Sequence, residues 1–262
     1  GKLRRRNPRC PMTISGLEVA LFRAFLASEN KTEHGYWGGA HSTIETDITV
    51  PFVPEGRAVN RWIRAAAEKG FRKFKIKLSG RVREDIPFLA YVYDILHDAV
   101  PFPVVRIDGN QGFTVTAYFT LTDYLEKKGI AIELFEQPLR KTDFTGMKDV
   151  CERSPVPVIL DETVLSPGDL DRVIGERLAH GVNIKIAKSG IVGSGEIYDR
   201  AKAAGLKVMV GCMIETMTGL SAGIHFAAGR EGCDLVDLDA IHFLHHRNKP
   251  GDIAVNGPFY HI

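Results

Sequence analysis

The chain has 262 residues, 44% hydrophobic and 25% charged, ordinary values for a globular protein long enough to bury a core. Its 34 basic and 32 acidic residues leave a formal charge of +2, which excludes a strong field for holding nucleic acid, and Arg4, Arg5 and Arg6 read as a solvated run. No apolar stretch approaches the roughly 18 residues of a membrane span, and Cys10, Cys151, Cys212 and Cys233 form no CxxC pair, so the thiols read as reduced and the protein as soluble and cytoplasmic.

Pro8 and Pro11 precede a helical pattern over 14–27, carried by Leu17, Ala20, Leu21, Ala24 and Phe25, and a glycine-rich stretch follows at 35–39. These residues fall outside the rhythm of the rest and are expected to be the tail of another element, so the chain divides into 1–44 and 45–262. From residue 46 onward, short apolar runs predict strands at 46–50, 73–78, 104–108, 132–136, 158–161, 183–186, 207–211 and 235–238. Between them, helical patterns cover 56–70 (Trp62, Ile63, Ala66 and Ala67 on one face), 84–99, 115–128, 169–178, 193–204 and 216–230. The strand starts lie 24 to 31 residues apart, the length of one strand–helix unit. Eight such strands predict a parallel barrel rather than an open sheet.

Chemistry collects at the strand ends. The second strand closes with Lys75-Ile-Lys77, the third at Asp108, the fourth at Glu136 and the fifth at Asp161; the sixth carries Lys185 and the eighth ends Asp237-Leu-Asp239. In a parallel barrel these ends open on one face. Three carboxylates on consecutive strands repel one another unless a cation lies between them, and an all-oxygen set favours a hard ion such as Mg²⁺. Lys75 and Lys77, two apart, share a face, while Lys185 comes from four strands further round. A carbon acid held between Lys77 and Lys185 has a proton acceptor on one side and a donor on the other, which suits racemisation or epimerisation. An inward lysine also serves as the partner of a nearby acid, and that reading stays open for Lys75 and Lys188. Cys212 reads as a buried thiol, and His242, His245 and His246 as ordinary loop histidines.

Lys75-Ile-Lys77, Asp108-Gly-Asn110, Glu136-Gln137-Pro138, Asp161-Glu162-Thr163 and Asn183-Ile-Lys185 resemble, in this order, the muconate-lactonising-enzyme subgroup of the enolase superfamily. The resemblance runs from about residue 12 to the end. It implies an α/β fold, the (β/α)7β modified TIM barrel, with 1–44 as the C-terminal remnant of an N-terminal α+β capping domain. It implies Mg²⁺ on Asp108, Glu136 and Asp161, with Lys77 and Lys185 as the acid/base pair. Residues 211–215, Gly211-Cys-Met-Ile-Glu215, hold no histidine of the kind that the mandelate-racemase subgroup places there, which leaves the two lysines in that role. Asp237 and Asp239 can receive an ammonium group by charge-assisted hydrogen bonds and look like the paired aspartates of dipeptide epimerases. With Ile44-Glu-Thr-Asp47 and the segment from Met209 to Glu215, they imply a dipeptide as the small-molecule partner and an enediolate route. Lys75, Asn110, Met213 and Ile214 are implied as further substrate contacts. A homo-oligomer is compatible with all of this, and nucleic acid and membrane are not expected as partners. The alternatives are a cycloisomerase or an o-succinylbenzoate synthase on the same scaffold, or a barrel that only binds ligand. One departure is visible: Lys188-Ser-Gly190 runs directly into Ile191, one glycine short of the family pattern.

Overall fold

The computed structural model describes residues 7, 10–53, 55–245 and 252–262, so that Arg4, Arg5, Arg6, Pro8 and His246 lie outside it. Two helices come first, α1 (Pro11–Ser28) and α2 (Glu33–Tyr36), then strand β1 (Thr43–Glu45). A regular alternation follows: β2 (Ile48–Val50), α3 (Gly56–Glu68), β3 (Lys73–Lys77), α4 (Val82–Ala99), β4 (Val104–Asp108), α5 (Val115–Lys128), β5 (Leu134–Glu136) and α6 (Phe144–Arg153). It continues with β6 (Val158–Leu160), α7 (Pro167–Glu176), β7 (Gly181–Lys185), α8 (Ile186–Ala203), β8 (Lys207–Gly211), α9 (Met217–Gly229) and β9 (Leu235–Asp237). A 3₁₀ turn (Ala240–Phe243) and a hairpin, β10 (Ala254–Asn256) and β11 (Phe259–His261), close the described chain.

Strands β2 to β9 form one eight-stranded sheet in chain order, with a helix between each successive pair. These are the eight strands that the spacing predicts, in the (β/α)7β succession that the resemblance implies. The hairpin, α2 and α6 were not among the expected elements, and the expected boundary at 44/45 falls inside β1.

By contacts the chain forms two compact units. The first comprises residues 47–163 and 172–181. Its strands alternate as the pleat requires: Phe74 and Ile76 on β3 and Ile107 on β4 are fully buried, with Lys75, Arg106 and Asp108 on the opposite faces of the same strands. Phe135 packs edge-on to Phe113 at 5.3 Å and tilted against Tyr118 of α5 at 4.9 Å between ring centroids. Local chemistry sets the helix starts. Thr114 caps α5 by accepting from the Ala117 N–H at 3.1 Å, and Asp143 caps α6 by accepting from the Gly146 N–H at 2.9 Å.

The second unit comprises residues 1–46, 164–171 and 182–262. Here α1 buries Ile14, Ser15 and Leu26, and the Ser15 hydroxyl donates to the Ile186 carbonyl at 2.6 Å. Leu17, Leu21 and Phe25, spaced four apart, are exposed. Strands β1, β11 and β10 form a separate antiparallel sheet in that order, with Ile44 opposite Tyr260. Gly190 breaks α8 into two helical pieces with φ 72 and ψ 171, a conformation open in practice only to glycine. One glycine therefore suffices for the turn where the family pattern has two. Among the described residues no helix is long and apolar enough to cross a membrane.

Candidate active site

In the first unit, strand register does most of the assembly. Lys77 lies opposite Asp108, and Asp108 opposite Glu136, so one row across β3, β4 and β5 carries a cation and two acids. Two residue pairs below, on the same face, Lys75 lies opposite Arg106. Lys77 Nζ donates to Asp108 Oδ2 at 2.5 Å. Lys75 Nζ donates to Glu136 Oε2 at 3.1 Å and lies 4.0 Å from Asp108 Oδ2. Lys75, Asp108 and Glu136 are buried, whereas Lys77 keeps 29% of its side chain exposed. Lys77 is thus the more accessible of the two amines, and Lys75 is enclosed against the two acids.

The turns after these strands hold the acids in place. Asn110 donates its backbone N–H to Asp108 Oδ1 at 2.8 Å. Asn110, Gln111 and Gln137 all have positive φ (39, 66 and 34), a conformation that costs non-glycine residues of order 1–3 kcal/mol each. Gly80, at φ +81, lies so close to the next turn that a Cβ there would sit 2.0 Å from the Gly112 carbonyl oxygen. The Gln137 carboxamide, fully buried, ties the end of β5 to the end of β6. Its Oε1 accepts from the N–H groups of Asp161 (2.9 Å) and Thr163 (3.2 Å), and its Nε2 donates to the Leu139 carbonyl at 2.9 Å. Asp161 is buried just past β6.

These residues fit a divalent cation. Burial, reinforced by the charge of Glu136, holds the Asp108 carboxyl above the ordinary carboxylate range even though Lys77 and Lys75 oppose it. Burial, with Asp161 and Asp108, likewise raises Glu162, whose Oε2 is buried without a hydrogen-bond partner. Asp108 and Glu136, opposite each other in the β4–β5 ladder, are hard oxygen donors of the kind that binds Mg²⁺.

In the second unit, Lys185 ends β7 buried. Gly211 lies opposite Asp237 in the β8–β9 ladder, and a Cβ on Gly211 would meet Asn183 Oδ1 at 2.6 Å. Asp237 and Asp239 are both buried. The Cys212 thiol, pushed well up by burial and by the charges of Asp239 and Asp237, stays protonated and donates to Asp239 Oδ1 at 3.9 Å. It is no nucleophile. Burial also raises Glu215, against the Met213 N–H, which donates to Glu215 Oε1 at 3.0 Å, and against the charge of Lys185. Met213 and Ile214 project outward, Ile214 with 73% of its surface exposed.

Residues 58–262 match the family described as Enolase C-terminal domain-like. The chain belongs to the enolase C-terminal domain-like family. It is 34% identical over 221 residues to the L-Ala-D/L-Glu epimerase of Thermotoga maritima, covering 84% of this chain and 63% of that protein. The substrate-liganded L-Ala-D/L-Glu epimerase of Bacillus subtilis superposes with a TM-score of 0.82 at 33% identity, over 87% of this chain and 63% of that one. A dipeptide epimerase of Enterococcus faecalis, complexed with Mg and L-Leu-L-Tyr, superposes with a TM-score of 0.78 at 27% identity, over 87% and 64%. The fold is therefore the family's modified TIM barrel, and the chain spans somewhat under two thirds of the length of these relatives.

Of the residues expected from the sequence motifs, the structure brings Lys75, Lys77, Asp108 and Glu136 into contact, and buries Asp161, Lys185, Asp237 and Asp239 at or just past strand ends. Arg106, fully buried, was missed. Its Nη1 donates to Asp47 Oδ2 at 2.7 Å and its Nε to Glu133 Oε2 at 2.6 Å. Its position two residues before Asp108 on the same strand face was the available signal. Glu162 and Gln137 were quoted within motifs but given no role of their own.

Proposed function

We propose that the protein is a Mg²⁺-dependent dipeptide epimerase. The observation that carries this reading is the buried aspartate pair at and just past the end of β9, in a chain of this family that also carries the Lys77–Asp108–Glu136 row. Cycloisomerase substrates have no ammonium group to put there, whereas a dipeptide does. The relatives named as dipeptide epimerases, and the one complexed with Mg and a dipeptide, support the same class.

Asp108, Glu136 and Asp161 would hold the ion, which supplies Lewis-acid charge against the negative charge that develops on the substrate carboxylate as the α-proton leaves. Asp237 and Asp239 take the ammonium end and fix which α-carbon is presented. Lys77 and Lys185 stand on strands four apart in the sheet order and are assigned opposite faces of that carbon. One, as the neutral amine, accepts the α-proton at Nζ. The other, as the ammonium, returns a proton to the opposite face, so protons balance over a turnover. Asp108 holds Lys77 by its Nζ; Asn110, Met213 and Ile214 complete the substrate contacts, while Lys75, buried against Glu136 and Asp108, holds those acids instead of touching substrate. The four free thiols support a reducing, cytoplasmic location.

Incubating the full-length protein with a library of L,L-dipeptides and Mg²⁺ in D₂O tests the reading by mass. One deuterium should enter at a single α-carbon of some members, EDTA should stop the exchange and added Mg²⁺ should restore it. A library without any deuterium uptake would end the proposal.

A further inference from the structure

Leu238 separates the two aspartates and lies just past the last ladder residue of β9, where no strand partner holds its peptide group. Two side chains do so instead. The Leu238 N–H donates to Thr46 Oγ1 at 2.7 Å, and the Tyr260 hydroxyl donates to the Leu238 carbonyl at 2.5 Å. Thr46 and Tyr260 are both fully buried. Tyr260 belongs to a different structure, the small sheet of β1, β11 and β10, and Thr46 directly follows β1. Tyr260 sits in β11 opposite Ile44, and the Thr46 N–H donates to the Pro258 carbonyl at 2.9 Å. A tyrosine with no exposed surface needs a partner for its hydroxyl, and here that partner is the peptide between the paired acids. The Leu238 side chain is buried as well, with its Cδ2 within 3.2 Å of where a Cβ on Gly223 would stand. The two peptide groups on either side of Leu238 are therefore each held at one polar atom, and the residue itself at its side chain. Rotating either group would swing the aspartate attached to it.

We infer that Thr46 and Tyr260 are positioning residues for substrate specificity: the β1–β11–β10 sheet sets the direction in which Asp237 and Asp239 present their carboxylates to the ammonium group. This rests on the epimerase reading above. It adds two residues that touch no substrate yet govern its affinity, placed 22 and 192 positions from the peptide they hold.

The test uses the full-length protein and the dipeptides that exchange in D₂O, with L-Ala-L-Glu as the first probe. Tyr260→Phe keeps the ring and removes one hydrogen bond to a buried carbonyl, and Thr46→Val removes its counterpart at the N–H. Each should raise KM on the order of tenfold while kcat stays within about twofold, because the lysines are untouched. In an Asp239→Asn background, Tyr260→Phe should add less than about twofold, since its effect passes through the acid already lost. Unchanged KM in both variants overturns the inference, as does a fall in kcat alone that follows the loss of folded protein. Loss of the same factor again in the Asp239→Asn background does so too. If the wild-type protein exchanges no dipeptide, the epimerase reading falls and carries this inference with it; if the wild type exchanges and the variants match it, only the inference falls.

Discussion

The lysine–carboxylate row of β3 to β5 and the aspartate pair of β9 are both buried clusters of charge at strand ends, yet they are held by opposite means. In the row, opposite charges meet directly through strand register, and each side chain is fixed by its neighbour: Lys77 by Asp108, and Lys75 by Glu136. In the pair, like charges lie two residues apart, and what is fixed is the backbone between them, through Thr46 and Tyr260. The first arrangement fixes the side chains themselves, beside turns that hold Asn110, Gln111 and Gln137 at positive φ. The second fixes the backbone that carries two buried carboxylates, the arrangement that the proposed receptor for a ligand's positive end calls for.

The largest expected effect lies in the row. Lys77→Ala removes the accessible amine and leaves Lys75 as the cation beside Asp108, so the fold should survive. Epimerisation should fall by about 10² to 10⁴-fold in kcat, measured as deuterium uptake or by polarimetry, and an undiminished rate would remove Lys77 from the reaction. Arg106, in the layer beneath, is next. Arg106→Leu leaves Asp47 buried without its guanidinium, a change that typically costs about 3–5 kcal/mol. Urea unfolding should show that loss at neutral pH. Asp47→Asn in the same protein should return part of it by removing the stranded charge, and no recovery would mean that Arg106 acts through packing alone.

The same contrast decides what could be read from the sequence. The row was legible because a parallel ladder copies strand-end positions from one strand to the next, so that Lys77, Asp108 and Glu136 announce themselves by their place after each apolar run. The acids of the pair were legible too, as Asp237-Leu-Asp239, but what positions them was not. Thr46 and Tyr260 have no periodic relation to Leu238, and β11 is a three-residue strand with a single buried position, Tyr260, too short to mark itself by alternation. Helix α6 escaped for a related reason: its buried residues are Gly146, Met147 and Val150, too few apolar positions to show a helical period. The buried Arg106–Asp47 pair joins residues 59 apart, a link that only the fold reveals.

The smallest expected effect probes the anchoring of the aspartate side. His225 of α9 is buried, with Nε2 3.4 Å from Asp252 Oδ2, at the start of the described segment that leads into β10 and β11. Burial, joined by the charges of Arg23 and His34, lowers its pKa below the ordinary 6.5, against Glu33 and Asp252, which raise it. Between its folded value and 6.5, the unfolded chain binds more protons at this site than the folded one, so this group's contribution to stability rises with pH. Its contribution should therefore be intact above 6.5 and should be lost as the pH falls below that value, a modest change because the imidazole keeps acidic neighbours. Half-buried carboxyls whose values are raised, such as Glu162 and Glu215, push the other way in acid, and the comparison that isolates His225 is wild type against His225→Gln at each pH. Urea midpoints at pH 7.5 and 5.5 should show the variant losing less on acidification than the wild type. Equal losses would mean that the charge state of His225 has no part in holding the segment that carries Tyr260, and that the acid pair is braced by the small sheet alone.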